Sequence, residues 1–220
     1  MRYERAVIFT NGEAANIKRL GAMLQPNDLL IAADGGLHHL MQLGKWPQLL
    51  IGDLDSVQLE EIEQARQNGV SILQYPVHKN ETDLQLAIDY AVQASCISIV
   101  IAAAFGGRLD QTLGNIFLLT QPALQNLDVR LDDGHDEVFL IRTTAEITGQ
   151  TGDTISLIPY GEPAMNVKTD NLRYPLHFET LYSDKTRGIS NVMEANHAQV
   201  SLSKGILICI HTRQELPGNY

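Results

Sequence analysis

The sequence contains no pair of cysteines at a metal-binding or redox spacing, and no apolar run long enough to cross a bilayer. Its 2 cysteines, Cys96 and Cys209, stand far apart in apolar surroundings, a pattern typical of buried thiols in a reducing compartment. No stretch approaches the roughly 20 apolar residues that a transmembrane helix requires. Charged residues occur at the very start of the chain, so we expect no secretory signal. The sequence therefore predicts a cytoplasmic protein with no membrane partner.

Positive charge is scarce as well. The chain has 16 Lys and Arg against 26 Asp and Glu, a formal net charge of -10, which argues against nucleic acid as a partner. Neither a Gly-x-x-x-x-Gly-Lys-Ser/Thr loop nor a Gly-x-Gly-x-x-Gly fingerprint occurs, which argues against P-loop and typical dinucleotide-binding chemistry. An anionic substrate would have to be received by metal ions and by a few well-placed cations.

Strand-like and helix-like segments alternate through the first half of the chain, which is typical of a parallel α/β sheet. Apolar runs predict strands at residues 6–10, 29–33, 49–51, 71–75 and 97–103. Helical spacing predicts helices near residues 14–23, 36–43, 59–67, 83–93 and 111–119. Later runs at 128–131, 137–141, 154–159 and 205–211 are separated by turn residues. We predict an α/β domain over residues 1–126 and a smaller all-β domain, a sandwich or open barrel, over 127–220.

Four aspartates stand in short segments that follow strand-like runs or open helices: Asp53, Asp55, Asp83 and Asp110. Because the carboxyl ends of parallel strands share one edge of the sheet, we expect these side chains to meet there. Two carboxylates about 4 Å apart repel by about 4 kcal/mol at an effective dielectric near 20, so a cluster needs a cation. Carboxylate oxygens suit Mg2+, which commonly joins one or two of them to substrate phosphates. The pattern predicts a magnesium site.

Cations and glycines accompany these acids. Arg108 can bind phosphate with two parallel hydrogen bonds, and Lys79 supplies a mobile point charge. Asp34, Gly35 and Gly36 follow another predicted strand, where glycine permits close approach to phosphate oxygens.

Each acidic or basic segment also has a structural interpretation. Asp55 with Ser56 can cap a helix that begins near Gln58, and Thr82 is a plausible N-cap of the helix that Asp83 opens. Asp83 and Asp110 can also act as first-turn acids that favour a helix dipole. Lys79 can be a solvated loop residue. Convergence of the segments on one edge of the sheet is what favours a metal and phosphate site.

Together these segments resemble the thiamine pyrophosphokinase family over nearly the whole chain. The resemblance rests on six segments in order: Ala33 to Gly36, Ile51 to Ser56, Lys79 to Asp83, Gly106 to Asp110 with Asn115, Leu172 to Leu176, and Gly188 to Asn191. It implies transfer of a pyrophosphoryl group from ATP to the hydroxyl of thiamine, which yields thiamine pyrophosphate and AMP. It also implies a homodimer whose active site lies between the α/β domain of one subunit and the β domain of the other.

The resemblance assigns roles to individual residues. Catalysis and Mg2+ binding fall to the four aspartates Asp53, Asp55, Asp83 and Asp110, with Arg108 stabilising the transferred group. Nucleotide binding falls to the polar and glycine residues around them, namely Asp34, Gly35, Gly36, Lys79, Thr82, Arg108 and Asn115. Thiamine binding falls to Ser190, Asn191 and Gln111, although Gly188 and Asn191 also suit an ordinary β-turn.

Two positions depart from the family pattern. Gln111 stands where a histidine is common, so a proton-transfer role is not expected there. Asn171 stands where glycine is usual, and because asparagine tolerates the left-handed conformation we expect this change to be mild.

Two other functions fit part of the sequence. An Asp-X-Asp transferase acting on a nucleotide sugar leaves Arg108 and Ser190 unexplained, and a sensor that binds ATP or thiamine without turnover leaves four aspartates unexplained.

Overall fold

The computed structural model describes residues 3–214, which form two compact units divided between Gly134 and His135. The first unit is an α/β domain and the second is all β, as the sequence predicts. Within the described residues no helix is both long and apolar enough to span a bilayer.

The first unit is built on six parallel strands in the order β4-β3-β2-β1-β5-β6. Its strands are β1 (Arg5–Phe9), β2 (Leu29–Ala33), β3 (Leu49–Gly52), β4 (Ser71–Gln74), β5 (Ser98–Ala102) and β6 (Asp128–Asp132). Its helices are α1 (Ile17–Ala22), α2 (Gly36–Gln42), α3 (Leu59–Gln67), α4 (Asp83–Gln93) and α5 (Leu109–Leu118). The strand order turns back at β1, so a crevice opens beyond the carboxyl ends of β1 and β5.

Continuous apolar sequence explains the centre of this sheet. Every residue of β2 and of β3 is buried, as expected for parallel strands that are covered on both faces. By contrast, no residue of the edge strand β4 is fully buried. The buried side chains of the central strands hold the polar residues that follow them at one edge of the sheet.

The predicted domain boundary after residue 126 needs correction. Residues Asp128–Asp132 pair in parallel with β5 and belong to the first unit. The sequence assigned this segment to the second domain because glycine and aspartate turn residues follow it. Those turn residues mark the division itself, eight residues further along the chain (135 against 127).

The second unit contains two antiparallel sheets around one core. One sheet has the order β12-β9-β14-β7, and its strands are β7 (Asp136–Ile141), β9 (Thr154–Pro159), β12 (Asn191–Val192) and β14 (Leu207–Thr212). The other has the order β11-β10-β13-β8, and its strands are β8 (Thr144–Thr148), β10 (Ala164–Asp170), β11 (His177–Leu181) and β13 (His197–Ser201). Ile155 and Leu157 of the first sheet and Val167 and Val200 of the second belong to the same buried cluster. The predicted sandwich is therefore confirmed.

The substitution of asparagine at position 171 has the expected geometry. Asn171 has a φ of +62°, in the left-handed region where glycine and asparagine are favoured. Its carbonyl accepts a hydrogen bond from the Glu194 N–H at 3.0 Å, so the turn is closed despite the side chain.

Candidate functional site

Three carboxylates meet at the carboxyl edge of the parallel sheet. Asp34 directly follows β2, Asp53 directly follows the neighbouring strand β3, and Asp83 is the first residue of α4. One carboxylate oxygen from each of the three lies within 4.8 Å of the others. We call these three residues the acidic triad.

Local backbone geometry makes this close approach possible. A Cβ atom added at Gly52 would lie 3.0 Å from Asp83 Cγ and 3.2 Å from Asp34 Cβ, so a side chain at this position would push the triad apart. Asp34 itself has a φ of +49°, a left-handed conformation that aspartate tolerates better than most residues. Thr82 caps α4 as predicted, because its hydroxyl accepts a hydrogen bond from the Gln85 N–H at 3.2 Å.

Lys79 is the cation of the acidic triad rather than a solvated loop residue. Its ammonium lies 2.9 Å from Asp83 Oδ1 and 3.3 Å from Asp53 Oδ2, and its side chain is only 11% exposed. Burial raises the pKa of Asp83 above its ordinary value; Lys79 opposes this increase, whereas the charges of Asp53 and Asp34 add to it. Three carboxylates and one ammonium leave an excess of negative charge at the site.

The acidic triad fits a divalent cation that prefers oxygen ligands. Among the described residues none gives buried Asp83 Oδ1 a well-directed hydrogen bond, because Lys79 approaches it outside hydrogen-bonding geometry. Magnesium binds oxygens at about 2.1 Å, so two of its ligands are at most about 4.2 Å apart. A small contraction of the acidic triad would therefore suffice for all three residues to share one ion.

The acidic triad lines a cleft of about 740 Å³ in the first unit. Segments that follow the neighbouring strands β1 and β5 also line it, at the point where the strand order turns back. On one wall the guanidinium of Arg108 pairs with Asp110 at 2.6 Å, and both side chains are about two-thirds exposed. This pairing raises the pKa of Arg108 and lowers that of Asp110. The cleft lining thus contains both the acidic triad and the Arg108–Asp110 ion pair.

Most of the predicted residues of the first unit line this cleft: Asp34, Asp53, Asp55, Thr82, Asp83, Arg108, Asp110, Gln111 and Asn115. The grouping differs from the prediction, however. Asp55 and Asp110 line the cleft outside the acidic triad, and Asp34, predicted as a nucleotide contact, takes part in it. The signal that the sequence offers for Asp34 is that it directly follows a predicted apolar strand, as Asp53 does. Asp55 does not cap α3, whose N-cap residue is Gln58.

Gly35 and Gly36 allow close packing of the start of α2 against β1 and the residues that follow it. Neither lines the cleft, and neither has a positive φ. A Cβ atom at Gly36 would lie 1.9 Å from the Phe9 carbonyl oxygen, and one at Gly35 would lie 2.5 Å from the Asn11 side chain. Glycine is required here so that α2 can begin against β1, and the predicted phosphate contact stays a prediction.

Comparison with known proteins decides the family. The descriptions "Thiamin pyrophosphokinase, catalytic domain" and "Thiamin pyrophosphokinase, vitamin B1 binding domain" match residues 20–131 and 141–207. The chain belongs to the thiamin pyrophosphokinase family. The resemblance seen in the sequence is thereby confirmed, together with the enzyme class, and the catalytic-domain match contains the whole acidic triad.

Individual relatives agree in sequence and in fold. A thiamine pyrophosphokinase of Bacillus subtilis (strain 168) is 30% identical over 207 residues, which cover 93% of this chain and 97% of that protein. The crystal structure of the thiamine pyrophosphokinase from Bacillus subtilis, 28% identical, superposes with a TM-score of 0.87 and covers 96% of this chain and 100% of that one. Thiamin pyrophosphokinase from Candida albicans is only 16% identical yet has the same fold, with a TM-score of 0.81 over 96% of this chain and 89% of that one.

The thiamine-contacting residues predicted for this member of the thiamin pyrophosphokinase family differ in their surroundings. Gln111 is exposed and lines the cleft. Ser190 is exposed with a φ of +58°, and its N–H donates to Ser156 Oγ at 3.0 Å. Asn191 is buried, and its amide both accepts from the Tyr174 N–H at 2.9 Å and donates to the Tyr174 carbonyl at 2.7 Å. Asn191 therefore also holds its segment together, and the thiamine contacts stay predictions.

Proposed function

We propose that the cleft carries out Mg2+-dependent transfer of a pyrophosphoryl group from ATP to thiamine, yielding thiamine pyrophosphate and AMP. The observation that supports this most directly is the acidic triad, whose three carboxylates lie within 4.8 Å of one another beside a single ammonium. Such a cluster carries excess negative charge that a divalent ion would neutralise. Within a family of pyrophosphokinases, that ion supplies charge neutralisation for the polyphosphate.

The residues of the cleft divide the work. Asp34, Asp53 and Asp83 hold the ion, and Asp55 completes the acidic side of the cleft. Arg108, which lines the same cleft, stabilises the negative charge on the transferred group through charge-assisted hydrogen bonds. The thiamine hydroxyl attacks the β-phosphorus in line with the departing AMP oxygen, and its proton passes to a carboxylate, for which Asp83 and Asp110 are the candidates. Asn115 and Thr82 contact the nucleotide.

Thiamine is bound by the second unit in this proposal. The vitamin B1 binding description covers Ser190 and Asn191, which supports placing the aminopyrimidine there, with Gln111 contributing from the cleft.

We propose a homodimer with active sites shared between subunits. Mixing two inactive variants, Asp53→Asn and Ser190→Ala/Asn191→Ala, tests this arrangement, because one intact site per mixed dimer restores part of the activity. Unchanged inactivity of a verified mixed dimer would refute the shared site.

An assay for AMP, with thiamine and ATP, tests the function. We expect AMP and thiamine pyrophosphate in equal amounts with Mg2+ and neither with EDTA. Release of UDP or GDP from a sugar donor, without AMP from ATP, would support the nucleotide-sugar transferase. Binding of ATP or thiamine without any turnover would support the sensor. Turnover by the unmodified protein with Mg2+, lost in folded Asp53→Asn and Asp83→Asn proteins, would exclude the sensor, because a sensor has no turnover to lose.

We also propose a cytoplasmic location. Cys96 and Cys209 are both buried, and neither forms a disulfide in the part of the chain that the structure describes. Burial raises the pKa of the Cys96 thiol, which keeps it protonated and unreactive. Free buried thiols are typical of proteins in reducing compartments.

A further inference from the structure

Glu13 directly follows Gly12, a residue of the cleft lining, and has no role in the proposed chemistry so far. It stands on the loop that follows β1, close to the loop that follows β5 and leads to Arg108. Two hydrogen bonds join these loops: the Glu13 N–H donates to the Phe105 carbonyl at 2.8 Å, and the Gly107 N–H donates to Glu13 Oε1 at 3.1 Å. Residues 13 and 105 form an isolated antiparallel bridge.

Asn115 Nδ2 donates to the Ala104 carbonyl at 2.9 Å and holds the start of the loop before Arg108, whereas the bond to Glu13 holds its glycines. Gly106 and Gly107 have φ values of +84° and +64°, and neither has a side chain to pack. A Cβ atom at Gly106 would lie 2.5 Å from Glu13 Cδ, which shows that the Glu13 side chain fills the space beside this residue. A Cβ atom at Gly107 would meet nothing within 4 Å. Glu13 therefore gives two conformationally free residues both a packing surface and a hydrogen-bond acceptor.

The position of Arg108 depends on this loop. Its side chain is 69% exposed and pairs only with the neighbouring Asp110 among the ion pairs of the described residues. The guanidinium is held by Asp110, which accepts hydrogen bonds from Arg108 Nε at 3.1 Å and from Arg108 Nη2 at 2.6 Å. Because Asp110 lies in the first turn of α5, the placement of this pair follows the backbone that leads from the Gly106–Gly107 loop into α5. A carboxylate beside a cleft for ATP also repels phosphate, so Glu13 is unfavourable for binding unless it has a compensating role.

We propose that Glu13 is a positioning residue for ATP, which holds the Gly106–Gly107 loop in the shape that directs Arg108 into the cleft. This inference rests on the proposed function of Arg108 as the phosphate-binding cation. It assigns no contact with substrate to Glu13 itself.

Steady-state kinetics of Glu13→Ala and Glu13→Gln test the proposal. We expect Glu13→Ala to raise the KM for ATP about five-fold, the size of effect that follows from losing one hydrogen bond, and to leave the KM for thiamine unchanged. Glu13→Gln keeps an oxygen acceptor of the same length, so its KM for ATP should stay near that of the unmodified protein. Glu61→Ala is the matched control, because Glu61 Oε2 also accepts a backbone N–H, from Gln58 at 2.9 Å, but this bond holds the start of α3 rather than the Gly106–Gly107 loop.

A double-mutant cycle with Arg108→Ala separates the possible outcomes. If Glu13 acts through Arg108, then Glu13→Ala has little further effect on the KM for ATP in the Arg108→Ala protein. Additive effects, or a Glu13→Gln protein as impaired as Glu13→Ala, would overturn the positioning role. A lower KM for ATP in Glu13→Ala would overturn it too, because the carboxylate would then be an obstacle that phosphate displaces. If Arg108→Ala itself leaves the kinetics unchanged, the proposed role of Arg108 fails, and the inference with it.

Discussion

Two aspartates with limited exposure, one in each unit, show opposite electrostatic behaviour. Asp83 belongs to the acidic triad of the first unit; its pKa is raised by burial, and the charges of Asp53 and Asp34 add to the increase. Asp153 lies in the second unit, where burial also acts to raise its pKa, but hydrogen bonds from Gln214, His211 and Gln150 outweigh burial and lower it. Burial is the largest single influence on both residues, and their neighbours set the difference.

The two aspartates also differ in how their carboxylate oxygens are hydrogen-bonded within the chain. Asp153 accepts N–H groups from Gln150 and Gln214, both at 2.9 Å, and lies 2.8 Å from His211 Nε2, so its oxygens are fully used within the chain. Asp83 has a buried oxygen without a well-directed donor and an ammonium that it shares with Asp53. A fold tolerates such a deficit where a ligand supplies the missing positive charge.

The largest expected effect is the loss of activity when the acidic triad is changed. Asp83→Asn keeps the size of the side chain and removes the charge that would hold the metal ion. We expect turnover to fall at least about a thousand-fold, since stabilisation by a bound metal is worth several kcal/mol in a transition state. The rate of AMP formation at saturating ATP and thiamine measures the effect. Asp89→Asn, on the same helix and outside the cleft lining, is the matched control and should retain activity. A fall of less than ten-fold in Asp83→Asn would remove this residue from the catalytic site.

Next in size is the stability lost when Asp153 is changed. Hydrogen bonds to a charged group contribute about 1.5–3 kcal/mol each, and we expect Asp153→Asn, which removes the charge of a carboxylate that accepts several of them, to lower the free energy of unfolding by about 3 kcal/mol. Urea denaturation followed by circular dichroism measures it. Asp170→Asn is the control in the same unit, because Asp170 pairs with Lys168 at 2.9 Å but is 46% exposed, and such pairs contribute about 0–1 kcal/mol. Equal losses in the two variants would contradict the structural role of Asp153.

The two aspartates should also give opposite dependence of stability on pH. Because the folded pKa of Asp153 is lowered, its stabilisation is present above the unfolded value of 3.8 and is lost as pH falls through the folded pKa. Because the folded pKa of Asp83 is raised above 3.8, its contribution is present at acid pH and is lost as pH rises through the folded pKa. In EDTA at neutral pH, metal-free Asp83→Asn should therefore be at least as stable as the unmodified protein. A less stable Asp83→Asn protein would show that ionised Asp83 stabilises the fold.

Much of the fold could be read from local patterns, and the limits have physical causes. All five predicted strands of the first unit are present within a few residues, because buried parallel strands appear as continuous apolar runs. Four strands of five or more residues in the second unit, β8, β10, β11 and β13, were not predicted, since exposed or half-buried residues separate their buried ones and the apolar runs are short. Asp34 was assigned to the nucleotide because membership of the acidic triad depends on which strands are neighbours.

Glu13 escaped prediction for a related reason. Its partners are backbone atoms of residues 105 and 107, more than ninety positions away in the sequence. Because backbone atoms are the same in every residue type, a sequence motif does not reveal such a contact. Asn171 shows the opposite case, because its positive φ agrees with the glycine that is usual at this position in the family and with the tolerance of asparagine for the left-handed conformation.

The smallest effect is expected at Asp110, and it sharpens the meaning of the comparison. The pKa of Asp110 is lowered, as that of Asp153 is, but the cause is the adjacent guanidinium of Arg108, and both side chains are exposed to solvent. Water and salt screen such a pair, so Asp110→Asn should leave the melting temperature unchanged while it reduces turnover. Differential scanning fluorimetry at low and high salt measures the first effect, and the AMP assay measures the second. A marked fall in the melting temperature would mean that a lowered pKa is enough to mark a carboxylate that stabilises the fold, whether it is buried or exposed. An unchanged melting temperature with lowered turnover would mean that a lowered pKa reports only the groups beside the carboxylate. Burial then decides whether the contacts with those groups stabilise the fold.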